Sequence, residues 1–308
     1  MKRLATIITS IFIAFTIYSC INSNASEIKH SAITIEKTRA VSPETKKYWY
    51  DGNAEISSYK LSQARYGEIH EGTATLIFVT EPFSQTSNTK ADYPNSNNIP
   101  ILKLNMNKKF NTGIYPYSMM NSTFFPFEKD NYSFKIASSI QEWCGMTYVE
   151  MKNNKDHLLL NFNSYFEGAS FLNKKIKKVL LEDDLWSLIR LNPELLPAGD
   201  LEIIPSFFFL NSKHKEFKSY IANTEFNKSE DISTYKISYP KLDRTLQISF
   251  ESSFPHKILS WKESHNSGYG KNKKILTTEA SLMKTIKVDY WNKNQNKDSI
   301  WRNKLNLK

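Results

Sequence analysis

Apolar and polar residues alternate along short runs in the last hundred residues, and this pattern limits the possible folds more than any other feature. Tyr235, Ile237 and Tyr239 alternate with polar neighbours, and the run 245–251 repeats the pattern. Successive side chains of a β-strand point to opposite faces, so a period of two indicates strands with one buried face. Short strands separated by turn residues predict curved antiparallel sheets, half-barrel or sandwich-like.

Strand-like runs also fill the first half of the chain, and they outnumber helical ones. The run 73–81 is apolar on both faces, which indicates a strand covered on both sides. The polar, Asn-rich stretch 82–100 predicts an exposed loop. We therefore expect a mainly β protein. Its predicted parts are a signal peptide (1–20), a polar tether (21–46), an N-terminal β region (47–170), a helical connector (171–199), a C-terminal β meander (200–292) and a polar tail (293–308).

One short helix is predicted near residues 183–191. The run 185–191 places its apolar residues on one helix face, and Asn192-Pro193 ends the run. Glu182, Asp183 and Asp184 precede it. Carboxylates interact favourably with the positive N-terminal end of a helix, so a capping role is favoured over a metal or acid–base site.

The N-terminal segment has the order of features found in secretory signal peptides. Lys2 and Arg3 are followed by an uncharged, mostly apolar stretch of about 15 residues. A helix that crosses a bilayer needs about 20 apolar residues, so a transmembrane anchor is the weaker alternative. We expect the protein to be exported to the cell envelope.

Two processing sites compete at the end of this segment. Ile17-Tyr18-Ser19-Cys20 resembles the lipobox of bacterial lipoproteins, in which the cysteine is acylated and becomes the new N-terminus. Ser23-Asn24-Ala25 fits an ordinary signal peptidase site. The first site predicts lipidation of Cys20 and a membrane-anchored lipoprotein that faces the periplasm or the cell surface. The second predicts a soluble periplasmic protein cleaved after Ala25.

The chain is basic, with 41 Lys and Arg residues against 31 Asp and Glu and a net charge of +10. This charge favours an anionic partner such as a lipid headgroup or an anionic glycan. Only six of the basic residues are Arg, the residue suited to bidentate phosphate recognition, and the Lys residues are dispersed. Together with export, this distribution argues against a nucleic-acid partner.

Cysteine usage excludes a disulfide-stapled scaffold. The chain has two cysteines, so acylation of Cys20 would leave Cys144 as the only thiol. A lone cysteine in an oxidising compartment is usually buried and unreactive. We therefore predict a buried Cys144.

The sequence contains no strong motif for catalysis, a metal or a cofactor. Gly-x-Ser-x-Gly, His-Glu-x-x-His and Cys-x-x-Cys are absent, and the six histidines are scattered. His256 and His265 flank a predicted strand and could meet in space, but two histidines do not make a metal site. No catalytic residue, metal ligand or cofactor is therefore predicted.

Two stretches are weak candidates for a ligand-binding surface. The first contains Glu142, Trp143 and Tyr148, where aromatic rings lie close to amide and carboxylate groups. The same residues could pack into a core, and this alternative is favoured.

The second candidate is the stretch 267–274, in which Lys271, Lys273 and Lys274 follow two glycines. A phosphate-binding loop would precede a helix, whereas this stretch precedes a predicted strand. A basic hairpin loop is favoured, and its ligand would be an anionic glycan or a lipid headgroup.

Four stretches of the chain carry a resemblance to known proteins. They are 48–83 (beginning YWYDGNAEISSYKL), 109–127 (KFNTGIYPYSMMNSTFFPF), 141–151 (QEWCGMTYVEM) and 181–199 (LEDDLWSLIRLNPELLPAG). They resemble an uncharacterised family of predicted bacterial cell-envelope lipoproteins. Because that family has no assigned activity, the resemblance implies export and lipidation but no active site.

Some members of that family carry the label "septum formation inhibitor Maf". Maf proteins are cytoplasmic nucleotide pyrophosphatases of α/β fold with a Ser-x-Ser-Pro-Arg-Arg-like motif. In this chain the only Ser-Pro, Ser42-Pro43, is followed by Glu44 and Thr45. The residues therefore do not support that activity.

Two functions are compatible with the sequence. The first is a lipid-anchored, non-catalytic envelope protein that binds or scaffolds an apolar or anionic component. The second is a periplasmic hydrolase whose site is assembled from distant residues, with Glu142, Asp183, Asp184 or a histidine as candidates. The hydrolase hypothesis requires a cleft in which two such groups converge.

Overall fold

The computed structural model describes residues 39, 41–93, 95–128 and 132–307. These residues belong to one compact unit, Lys37–Lys308. The predicted signal peptide, Cys20 and the alternative cleavage site after Ala25 lie outside the described residues.

The described chain is built from one large sheet. Its strands are β1 (Ala54–Arg65), β2 (Glu68–Ser84), β3 (Thr89–Lys90), β4 (Ile99–Thr112), β5 (Tyr115–Pro126), β6 (Lys135–Glu142), β7 (Gly145–Asn153), β8 (His157–Ser164), β9 (Phe171–Lys177), β10 (Leu180–Leu181), β11 (Gly199–Ile204), β12 (Tyr220–Asn227), β13 (Ile232–Tyr239), β14 (Arg244–Glu251), β15 (Ile258–Ser267) and β16 (Lys274–Val288). Almost all neighbours in the sheet are consecutive in the sequence and antiparallel, because short turns connect them.

One pairing joins the two halves of the chain. β1 pairs with β16 in an antiparallel register that runs from Ala54 opposite Val288 to Ser62 opposite Glu279. The strand order therefore runs from β10 through β16 to β1 and on to β9, with β3 added beside β2. The two edge strands, β9 and β10, are consecutive in the sequence but do not pair with each other. The prediction of a mainly β chain with curved antiparallel strands is confirmed, and one continuous, non-closed sheet forms instead of a sandwich.

A short helix, α2 (Glu182–Leu191), lies inside the curve of this sheet. It contacts strands that are far apart in the sequence: Arg190 reaches Glu55 of β1, and Trp186 packs edge-on against Trp261 of β15 with ring centroids 5.4 Å apart. The predicted helix is confirmed, and Asn192 ends it as expected. The expectation of a single buried face is wrong, since all ten residues are buried.

Three further α-helices within the described residues are short: α1 (Pro43–Trp49), α3 (Phe207–Ser212) and α4 (Ile300–Lys304). The Ser42 side chain caps α1 by accepting a hydrogen bond from the Thr45 amide at 3.1 Å, and Pro43 takes the first helical position. The β meander predicted over 200–292 begins with the apolar run 201–210, which would then be a strand throughout. That prediction is wrong in its second half, because the strand stops before Pro205 and the phenylalanines form α3.

The strands of the sheet end at two opposite sides, which are named here by the segments they carry. The hairpin end carries the tight turns of the β1–β2, β4–β5, β6–β7 and β15–β16 hairpins, together with α3 and the β13–β14 turn. At the opposite end, here called the entry end, the chain enters through α1, and Arg39 donates to the Pro126 carbonyl at 2.9 Å. Turns from both halves of the chain therefore meet at the hairpin end.

Candidate ligand-binding site

A cavity opens at the hairpin end between the β1–β2 turn, α3 and the β15–β16 hairpin. It consists of an outer space of about 230 Å³ and an adjoining inner space of about 30 Å³. The two spaces share the lining residues Arg65, Phe209, Ser212, Lys213 and His265. We call the two spaces together the hairpin-end cavity.

Positive charge dominates the outer space. Its wall includes Arg65, Lys213, Lys215, Lys241 and Lys273, and one carboxylate, Asp243. Within the described ranges, none of these five cations forms an ion pair with a carboxylate. Asp243 accepts a hydrogen bond from the Asn266 side chain at 3.0 Å. The cavity therefore offers several cations to a ligand and little competing negative charge.

Arg65 is held rigidly at the end of β1. Its guanidinium donates to the Ser212 carbonyl at 2.8 Å and to the Tyr117 hydroxyl at 3.2 Å. It also lies over the ring of Tyr66, 4.5 Å from the centroid. Its buried Nε atom has no hydrogen-bond partner in the described part of the chain. One donor therefore stays available beside the cavity.

Two turns approach each other closely beside the cavity. The Gly67 amide donates to the Ser267 hydroxyl at 3.1 Å. A Cβ atom on Gly268 would lie 2.4 Å from the Asn272 carbonyl oxygen and 3.2 Å from the Gly67 Cα atom. Gly268 has a φ of +86°, in the region that favours glycine. Only glycine at this position lets the two turns bring Arg65 and Lys273 to one cavity.

The surroundings of Lys213 destabilise its charged form. Burial and the nearby Arg65 guanidinium lower the pKa of Lys213 to about 8. Its ammonium group donates to the Asn266 carbonyl at 3.2 Å. Burial and Arg65 also lower the pKa of the neighbouring His214. An anion in the cavity would stabilise the protonated forms of both residues.

The inner space contains a buried lysine, Lys108, that makes no hydrogen bond to another described residue. Lys108 is 6% exposed, and burial lowers its pKa. Its ammonium group lies 5.4 Å from the ring centroid of Phe208, and no described residue accepts a hydrogen bond from it. The Gln63 side-chain oxygen, also in this wall, is buried and has no partner among the described residues. The inner space therefore presents a donor and an acceptor to a small polar group.

Glu263 and His265 complete the inner wall. Glu263 accepts a hydrogen bond from Arg244 Nε at 2.7 Å. Although burial raises the pKa of Glu263, Arg244 and Lys108 lower it to about 2, so the group is a carboxylate at neutral pH. His265 is buried, and its Nδ1 lies 3.0 Å from the Asn266 carbonyl oxygen.

The second ligand-surface candidate from the sequence lies at this end. The stretch 267–274 forms the predicted basic hairpin turn, between β15 and β16. Lys273 lines the outer space. Lys271 and Lys274 lie on the same turn, are exposed and do not line the cavity.

The first candidate also lies partly at the hairpin end. Trp143 is 66% exposed at the tip of the β6–β7 turn, so the expectation that it packs into the core is wrong. The adjacent Glu142 accepts hydrogen bonds from the Cys144 amide at 2.7 Å and from the Tyr165 hydroxyl at 2.8 Å. Tyr148 lies further along β7, where it is half-buried and its hydroxyl bonds to Glu150 at 3.3 Å.

The prediction of a buried Cys144 is also wrong. Cys144 is exposed next to Trp143, because both residues form the two-residue turn between β6 and β7. A hydrogen bond to Glu142 raises the pKa of this thiol. The raised pKa lowers the thiolate fraction at neutral pH, which disfavours a nucleophilic role.

The carboxylates proposed for a hydrolase do not line the hairpin-end cavity. Asp183 and Asp184 are buried in the first turn of α2, where Asp183 accepts from the Phe207 amide at 3.0 Å and Asp184 from the Ser133 amide at 3.0 Å. Neither lines the hairpin-end cavity, and Glu142 lies on an exposed turn. His256 and His265 also lie apart, near the two ends of β15.

A further groove lies at the entry end. It has a volume of about 400 Å³, and its wall includes Trp49, Val79, Pro82, Pro100 and Trp291. Its lining carries few charged groups, with Glu81 as the one carboxylate. The groove lies beside α1, where the described fold begins.

The sequence did not predict several residues that line the hairpin-end cavity. Arg65, Lys213, Lys241 and His265 come from four different turns or strand ends, and they are separated by up to two hundred residues. Each is a single polar residue without a local motif. The one local signal was the pair of glycines before Lys271, which identified the β15–β16 turn.

Comparison of the chain with protein-family models, with curated proteins and with solved structures gives no match. In the described ranges, no group of three or more His, Cys, Asp or Glu side chains is placed to hold a metal ion. The helices of the described chain are all too short or too polar to cross a membrane.

Proposed function

We propose that this chain is an exported, lipid-anchored binding module of the cell envelope that holds an anionic group in the hairpin-end cavity. The single observation that carries the proposal is the set of five cations, none of them ion-paired to a described carboxylate, around a space of about 230 Å³ with one carboxylate in its wall. Five cations held around one space repel one another when the cavity is empty. A bound anion would relieve that repulsion.

The size of the cavity indicates which part of a ligand it holds. Sites for drug-sized molecules are usually about 300–1,000 Å³. The outer space is smaller, which fits a phosphate- or carboxylate-bearing headgroup better than a whole large molecule. The inner space would take a hydroxyl or similar polar group of the same ligand, because Lys108 can donate to it and Gln63 can accept from it.

The geometry favours binding over hydrolysis. Glu142, Asp183 and Asp184, the acid–base candidates, do not converge on the cavity, and Glu263 is held in an ion pair with Arg244. Most charged groups around the cavity are cations, which bind anions, and the carboxylates in its wall are engaged by Arg244 and by Asn266 instead of serving as a free general base.

The decisive experiment is a calorimetric titration of the protein with inorganic phosphate and with glycerol 3-phosphate at low salt. We expect saturable binding, and at least a tenfold loss of affinity in the Lys213→Met/Lys241→Met variant. Lys236→Met, on the exposed part of β13, is the matched control and should bind as the unaltered protein does. Absence of binding, or equal loss in the control, would overturn the proposal.

The proposed anchor is tested separately. Radiolabelled palmitate should be incorporated into the unaltered chain and not into Cys20→Ala, and globomycin should block maturation. Each buried CH₂ of an acyl chain contributes about 0.8 kcal/mol to membrane binding, so loss of acylation should release the protein from the membrane fraction. If Cys20→Ala stays in that fraction and the unaltered chain takes up no palmitate, the anchor assignment is wrong.

A further inference from the structure

Large apolar side chains are exposed around the mouth of the hairpin-end cavity. Monomeric proteins rarely expose contiguous apolar patches unless they bind a partner or a membrane. Trp143 is 66% exposed, Ile114 81% and Tyr269 70%. Seven of the exposed residues at this end are Tyr66, Ile114, Trp143, Met146, Tyr165, Phe166 and Tyr269. We call these seven residues the aromatic rim.

The rim is connected to the cavity by direct ring contacts. Tyr66 and Tyr269 line the outer space, with their ring centroids 6.4 Å apart. On the other side, the ring of Phe166 lies 5.0 Å from that of His214, which also lines the outer space. The rim and the cavity therefore form one continuous surface.

The turns that present the rim are fixed in position. Tyr165 packs so closely on the β6–β7 turn that a Cβ atom on Gly145 would lie 2.6 Å from its ring. The Tyr165 hydroxyl donates to Glu142 at 2.8 Å, and the Trp143 ring lies 6.4 Å from that of Tyr115. The exposed rings are thus held outward by contacts between neighbouring hairpins.

We infer that the hairpin end docks on an anionic lipid bilayer, with the aromatic rim at headgroup level and a lipid phosphate in the hairpin-end cavity. This inference rests on the proposed function and identifies the bound anion as the phosphate of a membrane lipid. Trp and Tyr favour the interface between water and acyl chains, because their rings are apolar and each carries a polar group. Lys215, Lys241 and Lys271, at the same end, complement the negative surface of such a bilayer.

The chemistry of the surface favours a lipid partner over a protein partner. The core of a protein–protein interface is depleted in Lys, whereas lysines lie beside the exposed rings here. The apolar groups project from separate turns and leave a charged cavity at their centre. A bilayer accommodates this arrangement, because rings enter between headgroups while the lysines stay beside phosphates.

The distance between the rim and the predicted anchor at Cys20 decides which membrane the rim can reach. The chain enters the described fold at the entry end, and β1, with 12 residues, separates that end from the rim by about 40 Å. The 20 residues between Cys20 and Val41 span at most about 70 Å when fully extended. An anchor at Cys20 could therefore allow the rim to reach the same membrane or one that faces it.

The test uses unacylated protein, the chain from residue 20 onward with Cys20→Ala, so that the rim is the only membrane contact. It is sedimented with vesicles of phosphatidylcholine alone and with vesicles containing phosphatidylglycerol. We expect binding to the anionic vesicles and at least a tenfold loss of partitioning in Ile114→Ser/Trp143→Ser/Met146→Ser, three rim residues that do not line the cavity. Trp291→Ser, an exposed tryptophan at the entry end, is the control and should bind normally.

Phosphate titration separates this inference from the proposed function. If the triple variant still binds inorganic phosphate but loses the vesicles, both proposals are supported. If the unaltered protein binds phosphate and ignores anionic vesicles, the docking inference is overturned while the proposed function stands. If neither ligand is bound, the proposed function itself fails. Brominated lipids should quench the tryptophan fluorescence of the unaltered protein. Loss of this quenching in Trp143→Phe, a conservative change on an exposed turn, would show that the Trp143 ring inserts into the bilayer.

Discussion

Two buried arginines connect the central helix to strands from the two halves of the chain. Arg190 of α2 donates to both carboxylate oxygens of Glu55, at 2.5 and 2.8 Å, and each side chain is at most 1% exposed. Arg244 of β14 makes an equivalent bidentate pair with Glu182, with both contacts at 2.6 Å. Buried charges are tolerated only when they are paired, so these pairs specify where α2 lies.

Removing one member of the first pair should be strongly destabilising. Arg190→Met leaves the Glu55 carboxylate buried without its cation, and we expect the free energy of unfolding to fall by about 3–5 kcal/mol. The double variant Glu55→Gln/Arg190→Met should recover part of this loss, because the uncompensated charge is gone. Urea denaturation followed by circular dichroism measures both. Equal stability of the single variant and the unaltered protein would contradict the assignment.

Asp184 should make stability depend on pH below neutrality. Burial raises the pKa of Asp184 to about 7, from an ordinary value of 3.8. Between about pH 4 and 7 the folded protein then binds more protons than the unfolded chain, so the free energy of unfolding falls as pH rises through this window. The fall should be on the order of 3 kcal/mol from this group.

The Asp184→Asn variant should lack that contribution, because an amide does not titrate and can keep the hydrogen bonds with Ser133. Urea denaturation at pH 4, 5.5 and 7 should show a shallower slope than for the unaltered protein. Asp200→Asn, on an exposed position of β11, should leave the slope unchanged. An unaltered slope in Asp184→Asn would show that this carboxyl does not titrate in the window.

At the scale of elements, the periodic stretches of the sequence predicted their strands correctly, whereas the stretches without a period were assigned wrongly. The alternation at Tyr235, Ile237 and Tyr239 identified β13 correctly, since period two has one structural meaning. The apolar run that ends at Leu210 has no period, so nothing distinguished a strand from the buried helix α3. Trp143 was misplaced because a residue in a two-residue turn can be exposed whatever its hydropathy.

The β15–β16 turn provides a prediction at this scale. Gly268→Ala would place a Cβ atom 2.4 Å from the Asn272 carbonyl oxygen at a φ of +86°, so the turn must shift. We expect a loss of stability of about 1–3 kcal/mol and a several-fold weaker affinity for phosphate, because Lys273 moves with the turn. Isothermal titration and thermal denaturation measure the two effects.

Gly270→Ala is the matched control for this turn. Gly270 also has a positive φ, +54°, but a Cβ atom there meets nothing within 4 Å in the described structure. It should cost only the backbone strain, about 1 kcal/mol, and keep its phosphate affinity. If both variants lose phosphate affinity equally, the contact between the β1–β2 and β15–β16 turns does not position the cavity.

At the scale of the whole molecule, the sequence could not show how the two β regions combine. The regions 47–170 and 200–292 are each predicted from local patterns, which carry no information on the pairing of β1 with β16. The hairpin-end cavity depends on that pairing, because Arg65 ends β1 while Lys273 precedes β16. The site was therefore beyond prediction, although its charge was visible in the composition.

The same pairing predicts that the two regions unfold together. β16 forms its second ladder with β1, and α2 is ion-paired to β1 through Glu55 and to β14 through Arg244. Loss of either half exposes a long strand edge and leaves a buried charge of α2 without its partner. We expect one cooperative urea transition, with coincident curves from circular dichroism and tryptophan fluorescence, and no stable fold for the fragment 200–292 alone. Two separate transitions, or a fragment with dispersed amide resonances, would show that the C-terminal strands fold independently and that α2 is not the element that couples the halves.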